Sequence, residues 1–539
     1  MSVPFRKLLV ANRGEIALRV FRTCRELGIA TVAVVAPDDE GSLHARSADE
    51  IRAVASYLDA GAAVHAAVES GADSVHPGYG FLAESAGLAE AVEAAGLTWI
   101  GPPPAALRKG GDKVVAKRIA QEADVPVLEQ GDRAEAGYPL LVKAAAGGGG
   151  RGMRIVRGPA ELDEALAAAR REAEAAFGDG TVFVERYLEG ARHVEVQLLA
   201  DAHGAVTALG ERDCSVQRRH QKVLEESPSP GVDPQLRAEL FGAAERFARA
   251  IGYRNAGTAE FLVAGREYFF LELNARIQVE HPVTEAVTGL DLVAEQLRIA
   301  AGERLPPRPH PAGHAIEVRL YAEDSRTFLP QAGRVERLRL PAAIRVDSGV
   351  AEGDTVGTGY DPMIAKLIAY GDTRAEAVER LREALAETEV GGLVTNLPFL
   401  RWLVAHPAFR AGEATTDFLT RYPPLSRPPA RLPERPWRTP FRLNLPSPPV
   451  QPPPELDDAT HPHEAGGDPD EIAAPMPGKV IRVLVAAGDE VEARAPLVVL
   501  EAMKMEMPLT APRAGRIRTV NAAEGDTVAR GQVLVELDD

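Results

Sequence analysis

The stretch GTAEFLVAGREYFFLELNARIQVEHP, residues 257–282, contains the strongest evidence for the fold in the whole sequence. Two runs rich in β-branched and aromatic residues flank Gly265 and Arg266, a pattern that predicts a β-hairpin. Glu260 and Glu272 are equidistant from Arg266, so their carboxylates should face each other across the two strands. A solvated edge with two unrelated glutamates is the alternative, and the apolar residues around them disfavour it.

Facing carboxylates repel each other, and burying both adds a desolvation cost. A divalent cation between them removes this cost, and hard oxygen ligands favour Mg²⁺. Asn274 shares the face of Glu272 because strand side chains alternate. If the strand continues, Arg276, Gln278 and Glu280 also share this face. The hairpin then predicts an anion clamp and a carboxylate base beside a metal.

A run of glycines, residues 147–152, stands between the two predicted strands YPLLVKA and MRIVRG. A Walker loop or a dinucleotide fingerprint requires a helix after the glycines, so neither fits. The order strand, glycine loop, strand instead predicts a lid whose backbone N–H groups close over phosphates. A plain flexible hairpin is the alternative. Lys143 supplies a cation at the base of the loop.

The segment ERDCSVQRRHQKVLEE, residues 211–226, holds a cluster of cations: Arg218, Arg219, His220 and Lys222. A nucleic-acid patch is one interpretation, but the glutamates that follow and the net charge of -17 disfavour it. A phosphate or carboxylate site fits better. A structural histidine remains the alternative for His220.

The C-terminal part of the chain repeats itself, because residues 474–501 align without a gap on a segment that starts at Ala511. Each half has a Pro-x-x-Gly turn, a β-branched run, a Gly-Asp turn and a second apolar run. This predicts a quasi-symmetric β sandwich. The run EAMKMEM, residues 501–507, lies between the halves and predicts an exposed hairpin tip at Lys504. An ordinary surface lysine is the alternative, which the neighbouring methionines disfavour.

The composition limits the possible functions. A length of 539 residues suggests about three or four domains. The acidity argues against a nucleic-acid or anionic-membrane partner. No apolar run approaches the roughly 18 residues that span a bilayer, and MSVPFRKLLVAN is too weakly apolar for a signal peptide, so a cytoplasmic location is expected. Cys24 and Cys214 are the only cysteines, which excludes a disulfide framework.

Lysine is rare in this chain, with nine lysines among 61 basic residues. Because Lys and Arg are not interchangeable at phosphate contacts or at an acylated amine, several of the lysines are site candidates. The first hundred residues alternate strand and helix patterns, which predicts an open parallel α/β sheet. Residues 423–470 are rich in proline and predict a semi-rigid linker that tethers the last domain.

Together, the motifs ANRGEIA, HPGYGFLAE, GDK, GGGGRGM, ERDCSVQRRHQK and NARIQVEHPVTE resemble those of biotin carboxylase, the ATP-grasp component of biotin-dependent carboxylases. The likeness runs from about Pro4 to Leu419. EAMKMEM resembles the attachment site of a biotin carrier domain. The resemblance implies that ATP phosphorylates bicarbonate to carboxyphosphate, and that the CO₂ released from it carboxylates biotin on Lys504.

The implied fold class is α/β with an additional all-β carrier domain of the biotinyl/lipoyl type. The expected parts are a parallel α/β N-terminal domain over residues 1–108, an ATP-grasp domain over residues 109–310 and an α+β C-terminal domain over residues 311–422. The proline-rich linker, residues 423–470, and the carrier domain, residues 471–539, follow.

The resemblance also implies a role for each matching residue. The residues expected on the nucleotide phosphates are Lys113, Lys143, Gly149 and Gly150. Those expected around the adenine and the rest of the nucleotide are Glu185, Tyr187, Leu188, His193, Gln217 and His220. The expected metal ligands are Glu260, Glu272 and Asn274. The bicarbonate site is expected to comprise Lys222, Arg276, Gln278 and Val279, with Glu280 as the base and Arg345 as the arginine that stabilises the biotin enolate.

The implied cofactors and substrates are biotin on Lys504, ATP, Mg²⁺ or Mn²⁺, and bicarbonate. The expected function is that of the α subunit of an acyl-CoA carboxylase of the acetyl- or propionyl-CoA type. Its expected partners are a separate carboxyltransferase β subunit, a biotin protein ligase and further copies of the chain, with no nucleic acid and no membrane.

Two alternatives remain from the sequence: the carboxylase subunit of a two-subunit pyruvate carboxylase, and a carrier-only subunit with a decayed ATP-grasp part. The intact Lys113, Lys143 and Glu280 argue against decay. Ala146 and Ala275 depart from the family pattern. Only the proline-rich linker stands where many acyl-CoA carboxylase α subunits insert a folded docking domain, so the sequence leaves the mode of docking open.

Overall fold

The repeated C-terminal part forms two four-stranded antiparallel sheets. Equivalent residues of the two halves make equivalent pairs: Gly478 pairs with Val528, and Gly515 pairs with Val491. The predicted quasi-symmetric β sandwich is therefore confirmed. Its strands are Glu471–Ala473, Gly478–Val483, Glu490–Val491, Pro496–Ala502, Met505–Thr510, Gly515–Val520, Thr527–Val528 and Val533–Asp538.

The two Gly-Asp turns have the same geometry. Gly488 and Gly525 have φ angles of 97° and 96°, in a region that side chains rarely adopt, so glycine is required at both positions. Asp489 and Asp526 each accept the N–H of the alanine three residues earlier, at 2.8 Å in both turns. The repeated dipeptide thus builds the same turn twice.

The N-terminal residues form the predicted parallel sheet of five strands. Helix Gly14–Glu26 packs on it, and its apolar side chains, such as Ile16 and Phe21, join a buried core. The strands in sheet order are Glu50–Ala53, Ala30–Val35, Lys7–Val10, Ser74–His76 and Thr98–Trp99.

The two glutamates lie on the predicted hairpin, which consists of strands Asn255–Ala264 and Glu267–Asn274. Glu260 is paired with Glu272, as the spacing predicts. The expectation that the second strand continues towards Glu280 is wrong, because the strand ends at Asn274 and a loop leads into a helix. The hairpin joins an antiparallel sheet whose next strands are Arg192–Ala200, Val206–Arg218 and Gln221–Ser227.

The strands on either side of the glycine run, Leu140–Ala144 and Arg154–Val156, pair in an antiparallel manner. Strand Val182–Arg186 completes this small sheet, and helix Pro159–Phe177 packs against it. The predicted strand, loop, strand order is confirmed, although the glycines themselves lie outside the described residues.

The computed structural model describes residues 3–128, 137–144, 154–177, 180–218, 221–424, 470–502 and 505–538. The chain divides into two compact units. The first comprises Met1–Val318, Ile368–Leu381 and Ala408–Pro423, and the second Arg319–Leu367, Arg382–Pro407 and Pro424–Asp539. Nearly all of the predicted linker lies outside the described residues, and the predicted domain boundaries stay predictions.

The remaining elements complete the two units. The remaining helices are Pro37–Asp39, a 3₁₀ turn, and Leu43–Ser47, Ala60–Ser70, Ala86–Ala94, Pro104–Gly111, Lys113–Glu122, Pro234–Ile251, His281–Thr288, Leu292–Ala300, Arg374–Glu387, Leu397–Ala405, Pro407–Arg410 and Phe418–Arg421. The remaining strands are His314–Tyr321, Gly333–Arg334, Arg337–Arg339, Arg345–Ser348, Thr355–Val356, Met363–Gly371 and Glu389–Gly391. Within the part of the chain that the structure describes, no helix combines the length and the apolar character needed to cross a bilayer.

Two histidines in the N-terminal part are held in the neutral form. Burial lowers the pKa of His76 and of His44 to about 4 each. The Nδ1 atom of His76 accepts the N–H of Gly78 at 3.0 Å, and its Nε2 atom is bonded to Gln296 at 3.0 Å. Protonation of Nδ1 would remove the first of these bonds and bury a charge.

We expect the free energy of unfolding to fall as the pH drops from about 6.5 towards about 4, because the unfolded chain then binds protons that the folded chain excludes. Each buried histidine should contribute about 3 kcal/mol to this fall. His76→Gln should therefore reduce the fall measurably, as followed by urea unfolding with tryptophan fluorescence. His65→Gln, at an exposed position, is the control. Identical pH profiles for the wild type and His76→Gln would contradict this account.

Candidate active site

Glu260 lies at the centre of a buried polar cluster in the first unit. Burial opposes its ionisation, yet the charge of Lys222 and the hydrogen bonds from His193 and Lys222 hold the pKa of Glu260 well below its usual value. Glu260 is therefore an anion. Its carboxylate accepts hydrogen bonds from four side chains: His193 Nε2 at 2.7 Å, Lys222 Nζ at 2.8 Å, Asn274 Nδ2 at 2.8 Å and Gln278 Nε2 at 2.8 Å.

Glu272 faces Glu260 across the hairpin, and burial together with the charge of Glu260 raises its pKa. The ammonium group of Lys113 lies 3.8 Å from the Glu272 carboxylate. Two facing carboxylates and the amide of Asn274 form an oxygen-rich donor set, which suits Mg²⁺. The three predicted metal ligands are thus brought together, and they fit a divalent cation because such an ion would offset the repulsion that raises the pKa of Glu272.

Lys222 joins three carboxylates. Its Nζ atom donates to Glu195, to Glu260 at 2.8 Å and to Glu280 at 2.7 Å. Burial disfavours the charged form, but these carboxylates raise the pKa of Lys222 well above its usual value. Lys222 therefore stays an ammonium ion. Lys222 and Glu280, which the sequence-based prediction assigns to one site, are therefore in direct contact.

Arg212 is fully buried behind this cluster, and all five of its N–H groups have acceptors. The charges of Glu195 and Glu280 outweigh burial and raise its pKa above the usual range. Arg212 therefore fixes side chains that contact Lys222 and Glu260. Its acceptors are Glu195 Oε1, Gln197 Oε1 at 2.7 Å, Thr258 Oγ1 at 3.1 Å, Gln278 Oε1 at 2.7 Å and Thr284 Oγ1 at 2.9 Å.

Arg276 lies in the loop after the hairpin. It donates through Nη2 to Asn274 Oδ1 at 2.8 Å and through Nε to Glu84 at 3.2 Å. Glu84 also accepts the N–H of Ala275 at 2.9 Å, so it fixes the loop at two points. The convergence of Arg276, Gln278 and Glu280 on one site therefore results from this loop and not from strand alternation.

The residues predicted for the nucleotide form a second group around Glu185. Its carboxylate is almost fully buried and accepts from Lys143 Nζ at 2.6 Å and from Lys117 Nζ. These two cations outweigh the effect of burial and lower the pKa of Glu185. Tyr187 and Leu188 follow directly after this strand, and Leu188 is buried against Leu128 and Ala191. The structure therefore places Lys143 beside the predicted adenine segment.

Gln217 donates to His193 Nδ1 at 2.9 Å, which leaves His193 Nε2 to donate to Glu260. Val279 lies in the turn before helix His281–Thr288. Arg345 belongs to the second unit, where it pairs with Asp347 at 2.7 Å, and its predicted role stays a prediction. Four predicted residues lie outside the described residues, so their roles also stay predictions: Gly149, Gly150, His220 and Lys504.

Four residues of the cluster have no role in the sequence-based prediction: Glu84, Lys117, Glu195 and Arg212. Glu84 and Arg212 stand inside the motifs HPGYGFLAE and ERDCSVQRRHQK, and the rarity of lysine already marks Lys117 as a candidate. Glu195 has no comparable local signal. Its contacts come from residues that are distant in sequence, which a local pattern does not show.

Four family models match the chain. They are described as "Biotin carboxylase, N-terminal domain" for residues 4–107, "Carbamoyl-phosphate synthase L chain, ATP binding domain" for residues 112–308, "Biotin carboxylase C-terminal domain" for residues 317–421 and "Biotin-requiring enzyme" for residues 470–537. The predicted combination of an ATP-grasp fold and an all-β carrier is thereby confirmed.

Known proteins resemble long parts of the chain. The α3 subunit of a biotin-dependent acyl-coenzyme A carboxylase from Mycobacterium leprae is 43% identical, over 98% of both chains. A biotin carboxylase from Halalkalibacterium halodurans is 49% identical over 78% of this chain and 98% of its own length. The solved biotin carboxylase domain of the 2-oxoglutarate carboxylase from Hydrogenobacter thermophilus, a dimer with MgADP, ADP and bicarbonate, is 42% identical. It covers 78% of this chain and 98% of its own, with a TM-score of 0.75.

We expect Arg212→Lys to lower the free energy of unfolding by about 3 kcal/mol or more, because an ammonium group has three donors and leaves buried acceptors unpaired. Arg266→Lys, at an exposed ion pair with Asp233, should cost less than about 1 kcal/mol. Urea unfolding of both variants measures the difference. Equal urea midpoints for the two variants would show that the stability of the folded chain does not depend on the guanidinium group of Arg212.

Proposed function

The chain belongs to the biotin carboxylase family, and from that premise we propose that it loads carboxyl groups onto biotin carried by Lys504, as the α subunit of an acyl-CoA carboxylase. It is an ATP-dependent ligase that uses biotin, ATP, Mg²⁺ and bicarbonate. The observation that carries the assignment of residues is the contact between Lys222 and Glu280 beside the facing pair Glu260 and Glu272.

Glu280 is the proposed base. Bicarbonate is a weak nucleophile until it loses its proton, and the Glu280 carboxylate accepts this proton. Lys222 stays an ammonium ion 2.7 Å away, so a fixed positive charge stands beside the place where negative charge develops. Arg276 provides a second cation and is oriented by Glu84 and Asn274. These cations would hold bicarbonate in position to attack the terminal phosphate.

Lys113 and Lys143 are the proposed cations for the nucleotide phosphates. Lys143 is held by Glu185, and Lys113 is half exposed beside Glu272. Glu260, Glu272 and Asn274 would hold Mg²⁺, which supplies charge neutralisation to the phosphate oxygens when it is bound. His193 keeps Glu260 ionised, which preserves this donor set. Bicarbonate, the phosphoryl acceptor, and ATP, the phosphoryl donor, would therefore both bind beside the hairpin that carries Glu260 and Glu272.

The acceptor of the carboxyl group is proposed to be an acyl-CoA. The α3 subunit from Mycobacterium leprae, which is similar over 98% of both chains, carries that activity in its name. A separate carboxyltransferase β subunit would complete the reaction, a biotin protein ligase would modify Lys504, and the chain would form a homo-oligomer in the cytoplasm. A carboxylase subunit of a two-subunit pyruvate carboxylase is the competing interpretation.

We expect the purified chain to hydrolyse ATP in a bicarbonate-dependent reaction that free biotin stimulates. Glu280→Gln should reduce this rate by about 10²–10⁴-fold, because the amide cannot accept the proton, while ATP binding is retained. Glu267→Gln, at an exposed position on the hairpin that carries Glu260 and Glu272, should leave the rate unchanged. Wild-type turnover in Glu280→Gln would remove Glu280 from the mechanism.

We expect Lys504→Arg to abolish biotin attachment and to leave the free-biotin reaction intact, because the carrier is a separate set of strands. Streptavidin blotting and the ATP assay measure the two effects.

Capture of the wild type from native lysate through its biotin should bring down a carboxyltransferase, whose acyl-CoA specificity identifies the acceptor. Biotin still attached to Lys504→Arg would place the attachment site elsewhere, and a pyruvate-specific partner would favour the competing interpretation.

A further inference from the structure

In the second unit, the carrier strands contact a loop that precedes them by more than a hundred residues in the sequence. Met476 is fully buried, and it packs against Leu329 and Met507. Leu329 belongs to the loop of residues 324–331 and is itself 6% exposed, whereas both methionines belong to the carrier. This apolar contact is the centre of a larger contact region, which we call the carrier dock. The carrier dock comprises residues 324–331 on one side and Met476, Met507 and Arg530 on the other.

A polar contact lies beside the apolar one. Arg530 donates through Nη1 to Gln331 Oε1 at 3.2 Å, and its Nη2 atom lies 3.9 Å from Asp324. Gln331 is only 4% exposed, so this hydrogen bond is well shielded on the loop side. The dock thus has an apolar centre and a charged edge, the usual arrangement of a specific protein interface.

The shape of the loop is fixed by contacts that do not involve the carrier. Asp324 accepts the N–H groups of Arg326 and Thr327 at 2.9 Å each. Phe328 adopts a left-handed φ of 54°, and its ring packs edge-on against Phe399 with centroids 5.1 Å apart. A surface that is rigid before contact loses little conformational entropy when a partner binds.

One residue of the dock is close in the sequence to Lys504, the proposed site of biotin attachment. Met507 is three residues from Lys504 in the sequence and pairs with Leu500 on the neighbouring strand. Methionine has a flexible side chain that adapts to the surface it meets, which suits a contact that forms and breaks in every reaction cycle. Separation of the carrier from the loop would expose the apolar surface of Met476 to water, so the hydrophobic effect favours the docked state.

From these contacts we propose that residues 324–331 form the surface on which the carrier docks while its attached biotin is carboxylated. The proposal rests on the proposed function, because it concerns the delivery of the same biotin. The dock raises the local concentration of the carrier at the carboxylase, and Arg530 sets the orientation of the carrier on the loop. Free biotin does not need the dock.

Arg530→Glu in the full-length, biotinylated chain tests the proposal, because it places a carboxylate beside Asp324. We expect the single-turnover rate of carboxyl transfer from labelled bicarbonate to the attached biotin to fall about tenfold. The ATP hydrolysis stimulated by free biotin should be unchanged. Arg482→Glu, an exposed arginine of the carrier with the same change of charge, is the matched control. The double variant Arg530→Glu with Gln331→Arg should restore much of the lost rate.

Methyl NMR gives a readout that does not depend on activity, since the chain has only seven methionines. The methyl signals of Met476 and Met507 should move towards solvent-exposed positions in Arg530→Glu and stay in place in Arg482→Glu. Unchanged signals or an unchanged attached-biotin rate in Arg530→Glu would overturn the dock. Absence of a free-biotin reaction in the wild type would instead refute the proposed function, and the NMR comparison would still decide whether the dock exists.

Discussion

The guanidinium group of Arg212 is the constraint on which the site depends. A fully buried charge is stable only when it is paired and hydrogen-bonded, and each of the five N–H groups of Arg212 has an acceptor. The acceptors come from two strands, a loop and a helix, so one side chain fixes Glu195 and Gln278 together. Glu195 then accepts from Lys222, and Gln278 donates to Glu260. The buried frame thereby fixes the positions of Lys222 and Glu260, which belong to the proposed catalytic site.

The charges of this frame explain why the site suits a cation and an anion at once. Lys222 is shared by Glu195, Glu260 and Glu280, so one ammonium group offsets only part of the negative charge. The carboxylate repulsion that remains is seen at Glu272, whose pKa is raised by burial and by the charge of Glu260. A divalent ion held there by Glu260, Glu272 and Asn274 would offset this repulsion. The cations of the frame can then stabilise an anionic substrate without being neutralised by excess carboxylates.

Patterns that are local in the sequence predicted the structure well, and long-range contacts limited the rest. The pairing of Glu260 with Glu272 follows from symmetric spacing about a turn, and the carrier sandwich follows from a repeat. The path of the loop after Asn274 was harder to predict from the sequence, because Glu84, nearly two hundred residues away, fixes it through Arg276 and the N–H of Ala275. Roles of buried polar residues such as Arg212 depend on partners from several elements, which periodicity and spacing do not reveal.

The carrier has a symmetric backbone, but only one of its two equivalent faces carries the side chains of the dock. Its two halves have equivalent turns and strand pairs, yet the residues of the dock break the repeat. The repeat places Arg513 opposite Met476 in the other half, and Arg513 pairs with Asp470 at 2.6 Å. The repeat likewise places Ala493 opposite Arg530. A second dock at the symmetry-related position would therefore lack both the apolar side chain and the cation. The fold requires the symmetry of glycines and valines, whereas a dock on one side of the carrier requires side chains that depart from it.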